Sequence, residues 1–334
     1  MRASASSQRS EPATAATTPT GPVDVLLCGK VFADFSFTGL AASPAPGREV
    51  WASQMDFSAG GIATKAVAAA RLGARCTLIT TLSDDIPGRF CDDFLRHEGV
   101  DLSRCRRVGS WPTPTTVSFS YGHDRAMVTY ESAEPAWSPA YPAAARVILA
   151  QSSETVWWRD HAAAGSEVVV DSAWEDAATS WDLGKLRACL AGAAYFVPNE
   201  AEALAYARTT DIERALDTLL ELVPAVVVTL GADGAIAAST HEPGRVRIPA
   251  IRCQAVDPLG AGDVFAGAFA VATCHGWPLA QRVCFAVAAA GLCAQTPGSA
   301  RSAPTLAGLL AWQAGLPPAE RPNFDFLTTD FSAT

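Results

Sequence analysis

Short apolar runs and longer stretches of helical spacing take turns along this chain. Residues 23–27 are almost wholly apolar and end in Cys28-Gly29, the pattern of a buried strand. Residues 63–72 predict an alanine-rich helix, closed by Gly73 at the position after the helix end. A strand is predicted over 77–82 and a helix over 88–98. Further strands are expected at 146–150, 167–170, 195–197 and 225–230, the last carrying Val226-Val227-Val228. Helices are expected between them, over 183–191, 200–208 and 211–222, and a long apolar stretch over 264–273 reads as a buried helix. Such alternation implies βαβ units and a mostly parallel sheet covered on both faces, an α/β class fold. Two stretches break the rhythm. Residues 113–130 read as a β-hairpin turning at Gly122-His123-Asp124-Arg125, and 48–57 as its partner strand. Together they predict a small β flap inserted at about 40–59 and 110–132.

The termini fall outside this rhythm. Residues 1–21 are Ser, Thr, Ala and Pro with two arginines and one Glu, and no apolar stretch follows. This predicts a disordered tail in place of a secretory signal. One domain is expected over 22–320, with a C-terminal tail over 321–334.

Charge and cysteine content narrow the function. A net charge of −9 disfavours a nucleic-acid partner, which needs a basic face. No uncharged apolar run is long enough for a membrane helix, so no membrane contact is expected. The nine cysteines form no Cys-x-x-Cys pair and their number is odd, which suits a reducing, cytoplasmic setting. The basic residues include only three lysines, Lys30, Lys65 and Lys185, a bias read as compositional.

The strongest chemical signal is the peptide from Asp257 to Phe269, reading DPLGAGDVFAGAF. Gly260, Ala261 and Gly262 stand just before the apolar helix, where unpaired backbone N–H groups and the helix dipole make an anion site. Asp263 stands at the same place, where the local field favours an ionised carboxylate able to take a proton from a hydroxyl. An anion site beside a base suits phosphoryl transfer to an alcohol. The alternative is a Gly-rich loop with Asp263 as a plain helix cap. Gly60-Gly61, before the alanine-rich helix, allow a ligand to approach the backbone closely. Neither a dinucleotide fingerprint nor a Walker loop is present: Phe265 stands where the former needs Gly, and nothing after Gly29-Lys30 completes the latter.

These two segments together resemble the ribokinase-like sugar kinases, the phosphofructokinase-B family. The resemblance covers about residues 23–312. Gly60 to Gly73 match the family's first signature and Asp257 to Ala268 its second. Between them Ser83-Asp84-Asp85-x-x-Gly88, Gly99-Val100-Asp101, Asn199-x-x-Glu202 and Thr229-x-Gly231-x-x-Gly234 are similar to further family motifs. The resemblance implies a Rossmann-like α/β domain with a β lid and an ATP-dependent kinase acting on a sugar or sugar-like hydroxyl. It implies Asp263 as catalytic base, with Gly260, Ala261 and Gly262 as the anion hole. ATP would lie beside Thr229, Gly231 and Gly234, and Asn199 and Glu202 would organise Mg2+ through water. Asp34, with Gly60, Gly61 and Thr64, would bind the acceptor.

Departures from the pattern matter for substrate. Thr64 replaces the family's Asn, Ile62 follows the Gly pair, and Pro258-Leu259 follow Asp257, at a position associated with a monovalent cation such as K+. The loop at Thr296-Pro297-Gly298-Ser299 is similar to the one that closes that cation site, so K+ dependence stays open. A nucleoside acceptor also stays open, since Trp51, Phe57, Phe119 and Tyr121 could stack a base. A third reading is a non-catalytic ligand-binding protein on this scaffold. Asp171-Ser172-Ala173-Trp174 follow a strand at the ligand-binding end of an α/β sheet, Arg125 at the hairpin turn could reach an acidic group, and Trp157-Trp158 are expected to pack on the sheet. The strand at Val117 to Tyr121 could pair between two copies, giving a homodimer through the lid.

Overall fold

The computed structural model describes residues 23–121, 124–135, 139, 141, 144–152, 157–172, 182–253, 255–318, 321, 322 and 324, without the side chains of Asp124 and Arg125. The expected N-terminal tail, the turn residues Gly122 and His123, the Arg125 side chain and Ala173-Trp174 therefore lie outside the described residues.

Eight strands form the main sheet, in the order β14-β13-β12-β11-β10-β9-β1-β4. In chain order these are β1 (Val23–Cys28), β4 (Cys76–Ile79), β9 (Ala145–Gln151), β10 (Glu167–Asp171), β11 (Tyr195–Val197), β12 (Ala225–Thr229), β13 (Ala235–Ser239) and β14 (Arg245–Ile248). All pairs from β4 to β12 are parallel, and β13 and β14 finish the edge antiparallel.

The strands' alternation feeds two cores. Val25, Leu27, Val147, Leu149, Val169 and Val227 point to one face, under helices α1 (Ile62–Arg71), α2 (Ile86–His97), α7 (Ala261–Cys274) and α8 (Leu279–Cys293). Leu26, Ile148, Val168, Val170, Val226 and Val228 point to the other, under α4 (Leu183–Leu190), α5 (Glu200–Ala207) and α6 (Ile212–Leu220). Two further helices, α3 (Arg159–Ala163) and α9 (Leu306–Gly315), are also present. Both faces of a parallel sheet are thereby dry, which is why its strands read as unbroken apolar runs. Trp158 is buried in the second core and Trp157 stacks on Tyr141. Phe324, past the expected domain end at 320, is buried against Phe285.

The second sheet has four strands, in the order β3-β2-β7-β8. They are β2 (Val31–Leu40), β3 (Gln54–Gly61), β7 (Thr115–Tyr121) and β8 (Asp124–Tyr130). The hairpin lies close to where the sequence predicts it. The partner strand begins later than expected and runs straight into α1, and β2 is an addition to the sequence reading. β2 evades a period-two reading because Phe32 shares a face with Asp34 while Phe35 and Phe37 take the other, so no clean polar side shows. The expected strand over 77–82 is interrupted at Thr80: β5 (Thr81–Ser83) leaves the main sheet and pairs with β6 (Arg106–Val108).

Candidate active site

Two helix starts meet at the carboxyl edge of the main sheet. α1 follows directly on β3 through Gly61, whose φ of 63° is a left-handed value that suits glycine. α7 begins at Gly260, φ 81°, with no side chain capping it. The helices pack closely because both are built of small residues there. A Cβ placed on Gly267 would lie 2.8 Å from the Lys65 carbonyl oxygen and 2.9 Å from the Ala68 Cβ.

That approach brings Lys65 of α1 against Asp263 of α7, and the Lys65 ammonium donates to Oδ1 of Asp263. The same ammonium lies 3.0 Å from Oδ2 of Asp171, at the end of β10. Lys65 is 1% exposed, Asp171 14% and Asp263 32%, so the cation is sealed in while the Asp263 carboxylate opens outward. A cation in the first turn of a helix opposes the dipole, and burial strips its water. Burial by itself would pull the Lys65 ammonium down; the charges of Asp263 and then Asp171 outweigh it and hold it above the usual lysine range. Burial pushes the Asp171 carboxyl up to about 7, against the pull of Lys65.

The donors at the start of α7 divide. The Ala261 N–H donates to the Pro258 carbonyl at 3.1 Å. The N–H groups of Gly260, Gly262 and Asp263 have no such partner among the described residues. Gly262 is exposed, and a Cβ added there would meet nothing within 4 Å, so the chain is open to a ligand at that position. Ser299, itself at a left-handed φ of 48°, packs beneath Gly260, and its hydroxyl lies 3.4 Å from that of Thr64. Thr64 is buried, and this contact is with the 299 loop.

Asp34 enters from the lid. A Cβ on Gly60 would overlap its carboxylate, so the glycine makes room for it. Burial pushes Asp34 up to about 7, the negative charge of Asp263 adds to this, and the Thr116 hydroxyl draws it partly back. Asp34, Lys65 and Asp171 therefore each feel the charge of Asp263.

The remaining candidates line the strand ends beyond. Asn199 and Glu202 form a reciprocal cap on α5: Oδ1 of Asn199 accepts from the Glu202 N–H at 2.9 Å, and Oε2 of Glu202 accepts from the Asn199 N–H at 2.8 Å. One oxygen of each is thus committed to backbone, and Glu202 is 4% exposed. Burial raises the Glu202 carboxyl. Asn199 and Thr229 pair as a parallel bridge. Gly231 opens a short 3₁₀ turn, Gly231–Asp233, with open space around it, while Gly234 lies tight against the end of β14. The Asp257 carboxylate accepts from the Leu259 N–H at 3.0 Å and braces its own loop.

Lys65 is the residue that sequence reasoning passed over. Its signal was a charge near the start of an otherwise apolar, alanine-rich helix whose other charge, Arg71, stands at the far end; it was counted only as one of three lysines. Asp171 heads the strand-end run already singled out. The aromatic residues fall differently from the base-stacking idea: Phe57 pairs with Phe35 and Phe119 with Phe37, on the lid face opposite Asp34.

Comparison with known proteins gives the family and the fold. The model for pfkB family carbohydrate kinases matches residues 27–306. A ribokinase of Schizosaccharomyces pombe is 34% identical over 122 residues, which is 34% of this chain and 38% of that protein. A ribokinase of Haemophilus influenzae is 25% identical over 276 residues, covering 78% of this chain and 89% of that protein. The structure of Arabidopsis thaliana ribokinase complexed with ribose and ATP superposes with a TM-score of 0.71 at 23% identity, covering 87% of this chain and 98% of that one.

Proposed function

Since this chain belongs to the pfkB family of carbohydrate kinases and is an ATP-dependent kinase, we propose that it phosphorylates a hydroxyl of a neutral sugar, with Asp263 as the base and the start of α7 as the anion site. The observation that carries this reading is the juxtaposition of three features: unpaired N–H donors at Gly260, Gly262 and Asp263, the partly exposed Asp263 carboxylate, and Asp34 on the lid against Gly60, near enough to feel the charge of Asp263.

Asp34, framed by Gly60 and Gly61, takes hydroxyls of the acceptor and orients one toward Asp263. Asp263 accepts the proton of that hydroxyl as its oxygen attacks. The α7 N–H groups and the positive end of the helix stabilise charge on the migrating phosphoryl oxygens. A loose transition state needs little nucleophile activation, so orientation by Asp263 counts as much as basicity. ATP is placed along Thr229 and the Gly231 turn, where the chain leaves open space beside the bridge to Asn199.

Mg2+ neutralises phosphate charge when bound with ATP. Glu202 would suit holding metal-bound water, since only one of its two oxygens serves the α5 cap and Mg2+ keeps its own waters, while Asn199, whose single oxygen accepts in that cap, would hold Glu202 in place. Asp257 braces its loop through Leu259, and its part in a K+ site is carried here only by its place in the motif.

The charge balance argues for a neutral acceptor. Asp171 and Asp263 already occupy the ammonium of Lys65, and Asp34 adds a third carboxyl nearby, so this group of residues offers an acidic sugar no free cation. Phe57 and Phe119, two of the four candidates for stacking a base, turn away from Asp34 and leave a base-stacking acceptor without their support. Nine free cysteines, most of them half-buried or buried, suit a reducing cytoplasm.

Two assays test the reading. With Mg·ATP, a panel of D-ribose, D-fructose, adenosine and 2-keto-3-deoxygluconate is expected to give turnover with a neutral sugar. Turnover confined to the acid would remove the charge argument. Asp263→Asn is expected to lower kcat at least 1000-fold at unchanged ATP affinity, on the order of the loss of both an orienting group and a base. Near wild-type turnover in that variant would remove Asp263 from its role.

A further inference from the structure

A buried lysine bridging two carboxylates is costly to build, and nothing in the transfer reaction as derived so far uses it. Lys65 stands in the first turn of α1, where the helix dipole opposes a cation, and it is sealed from solvent. It donates to Oδ1 of Asp263 and lies 3.0 Å from Oδ2 of Asp171. Oδ2 of Asp263 takes no hydrogen bond among the described residues, and that side chain is the one of the three most open to the cleft. The close α1–α7 packing at Gly267 leaves this arrangement little room to relax.

We propose that Lys65 is a positioning residue for phosphoryl transfer: it pins Oδ1 of Asp263 against the sheet through Asp171, leaves Oδ2 to face the acceptor hydroxyl, and remains as the fixed counter-charge while the proton moves. This deepens the function proposed above and rests on Asp263 being the base. In the step itself, the acceptor oxygen forms a bond to the γ-phosphorus and the bond from that phosphorus to the β–γ bridging oxygen breaks. ADP leaves with the electron pair. The acceptor proton passes to Oδ2 of Asp263. Lys65 keeps all its protons, because Asp171 still faces it when Asp263 becomes neutral. Asp171 is thus the second anchor: without it the ammonium would have one carboxylate to follow and no fixed place.

The test uses the full chain with Mg·ATP and whichever of D-ribose, D-fructose or adenosine turns over fastest. Lys65→Met is expected to lower kcat at least 100-fold, with the KM values for ATP and acceptor within threefold of wild type. Lys65→Arg, which keeps a cation able to bridge two carboxylates, is expected to recover at least tenfold of that loss. Asp171→Asn is expected to cost about tenfold in kcat, and it decides the matter should Lys65→Met fail to fold. In an Asp263→Asn background, adding Lys65→Met should cost no further activity. A kcat within threefold of wild type in Lys65→Met or Asp171→Asn overturns the proposal. So does a loss spread equally over kcat, both KM values and melting temperature with no recovery by Arg. If Asp263→Asn is inactive while Lys65→Met is normal, only the role of Lys65 falls; if Asp263→Asn is itself active, the reading beneath it falls.

Discussion

Asp34 shows how a single group can serve function at the expense of stability. Burial pushes its carboxyl up to about 7, with Asp263 adding to the shift, from an ordinary value of 3.8. Between those values the folded protein keeps a proton that the unfolded chain has released. Stability therefore falls as pH rises from about 4 to about 7, and is level above. Asp34→Asn removes the buried charge at every pH. Melting curves should show a gain over wild type that is absent near pH 4, grows to pH 7 and then stays constant. The same variant should raise the acceptor KM at least tenfold, since an amide offers one neutral acceptor oxygen where a carboxylate offers two charged ones. A gain independent of pH would show that another group sets the effect.

At the scale of elements, the site depends on how closely α1 and α7 approach. Each helix starts at a glycine in a left-handed conformation, and each presents small residues to the other. Gly267 and Ala68 set the separation that lets Lys65 reach Asp263. Gly267→Val should force the helices apart, costing about 1–3 kcal/mol as overpacking does. Denaturant titration would measure that loss, and kcat should drop with it while the distant Thr229 turn still binds ATP. The motif around Asp263 was legible because Gly260-Ala261-Gly262 ahead of an apolar helix leave backbone donors open, a consequence that adjacent residues dictate on their own. Lys65 was not, because its meaning lies in two partners 106 and 198 positions further along the chain. Asn199 and Glu202 were legible as a pair one helical turn apart, but their mutual capping shows only once both backbones are in place.

For the molecule as a whole, the lid has two unlike faces. One carries Asp34 with Ser36, Ser58 and Ser118; the other carries Phe35, Phe37, Phe57 and Phe119. Near β3 the apolar face packs on α2 through Phe57 and Phe90, whose rings stack at 3.8 Å. Farther out it runs past the core and forms a groove of about 450 Å³ lined by Phe37, Trp51, Met55 and Phe119. Trp51 is 78% exposed and Met55 60%. The expected homodimer through the lid would cover that surface. Light scattering is expected to report a dimer for the full chain and a monomer for a Trp51→Asp, Met55→Asp double variant. A wild-type monomer at all concentrations would leave the groove without this role.

What the chain determines by itself is local: which stretches are strands and helices, where the Gly-rich turn ahead of α7 lies, and which acid stands beside it. Those follow from periodicity and from short-range backbone chemistry, and both are written in neighbouring residues. Tertiary structure alone decided that β2 and not just the hairpin builds the lid, and that Phe35, Phe37, Phe57 and Phe119 take the lid face opposite Asp34. It also decided that a lysine in an apolar helix joins two distant carboxylates. The physical reason is that burial and charge pairing are properties of surfaces in contact, and those surfaces exist only after the chain has folded.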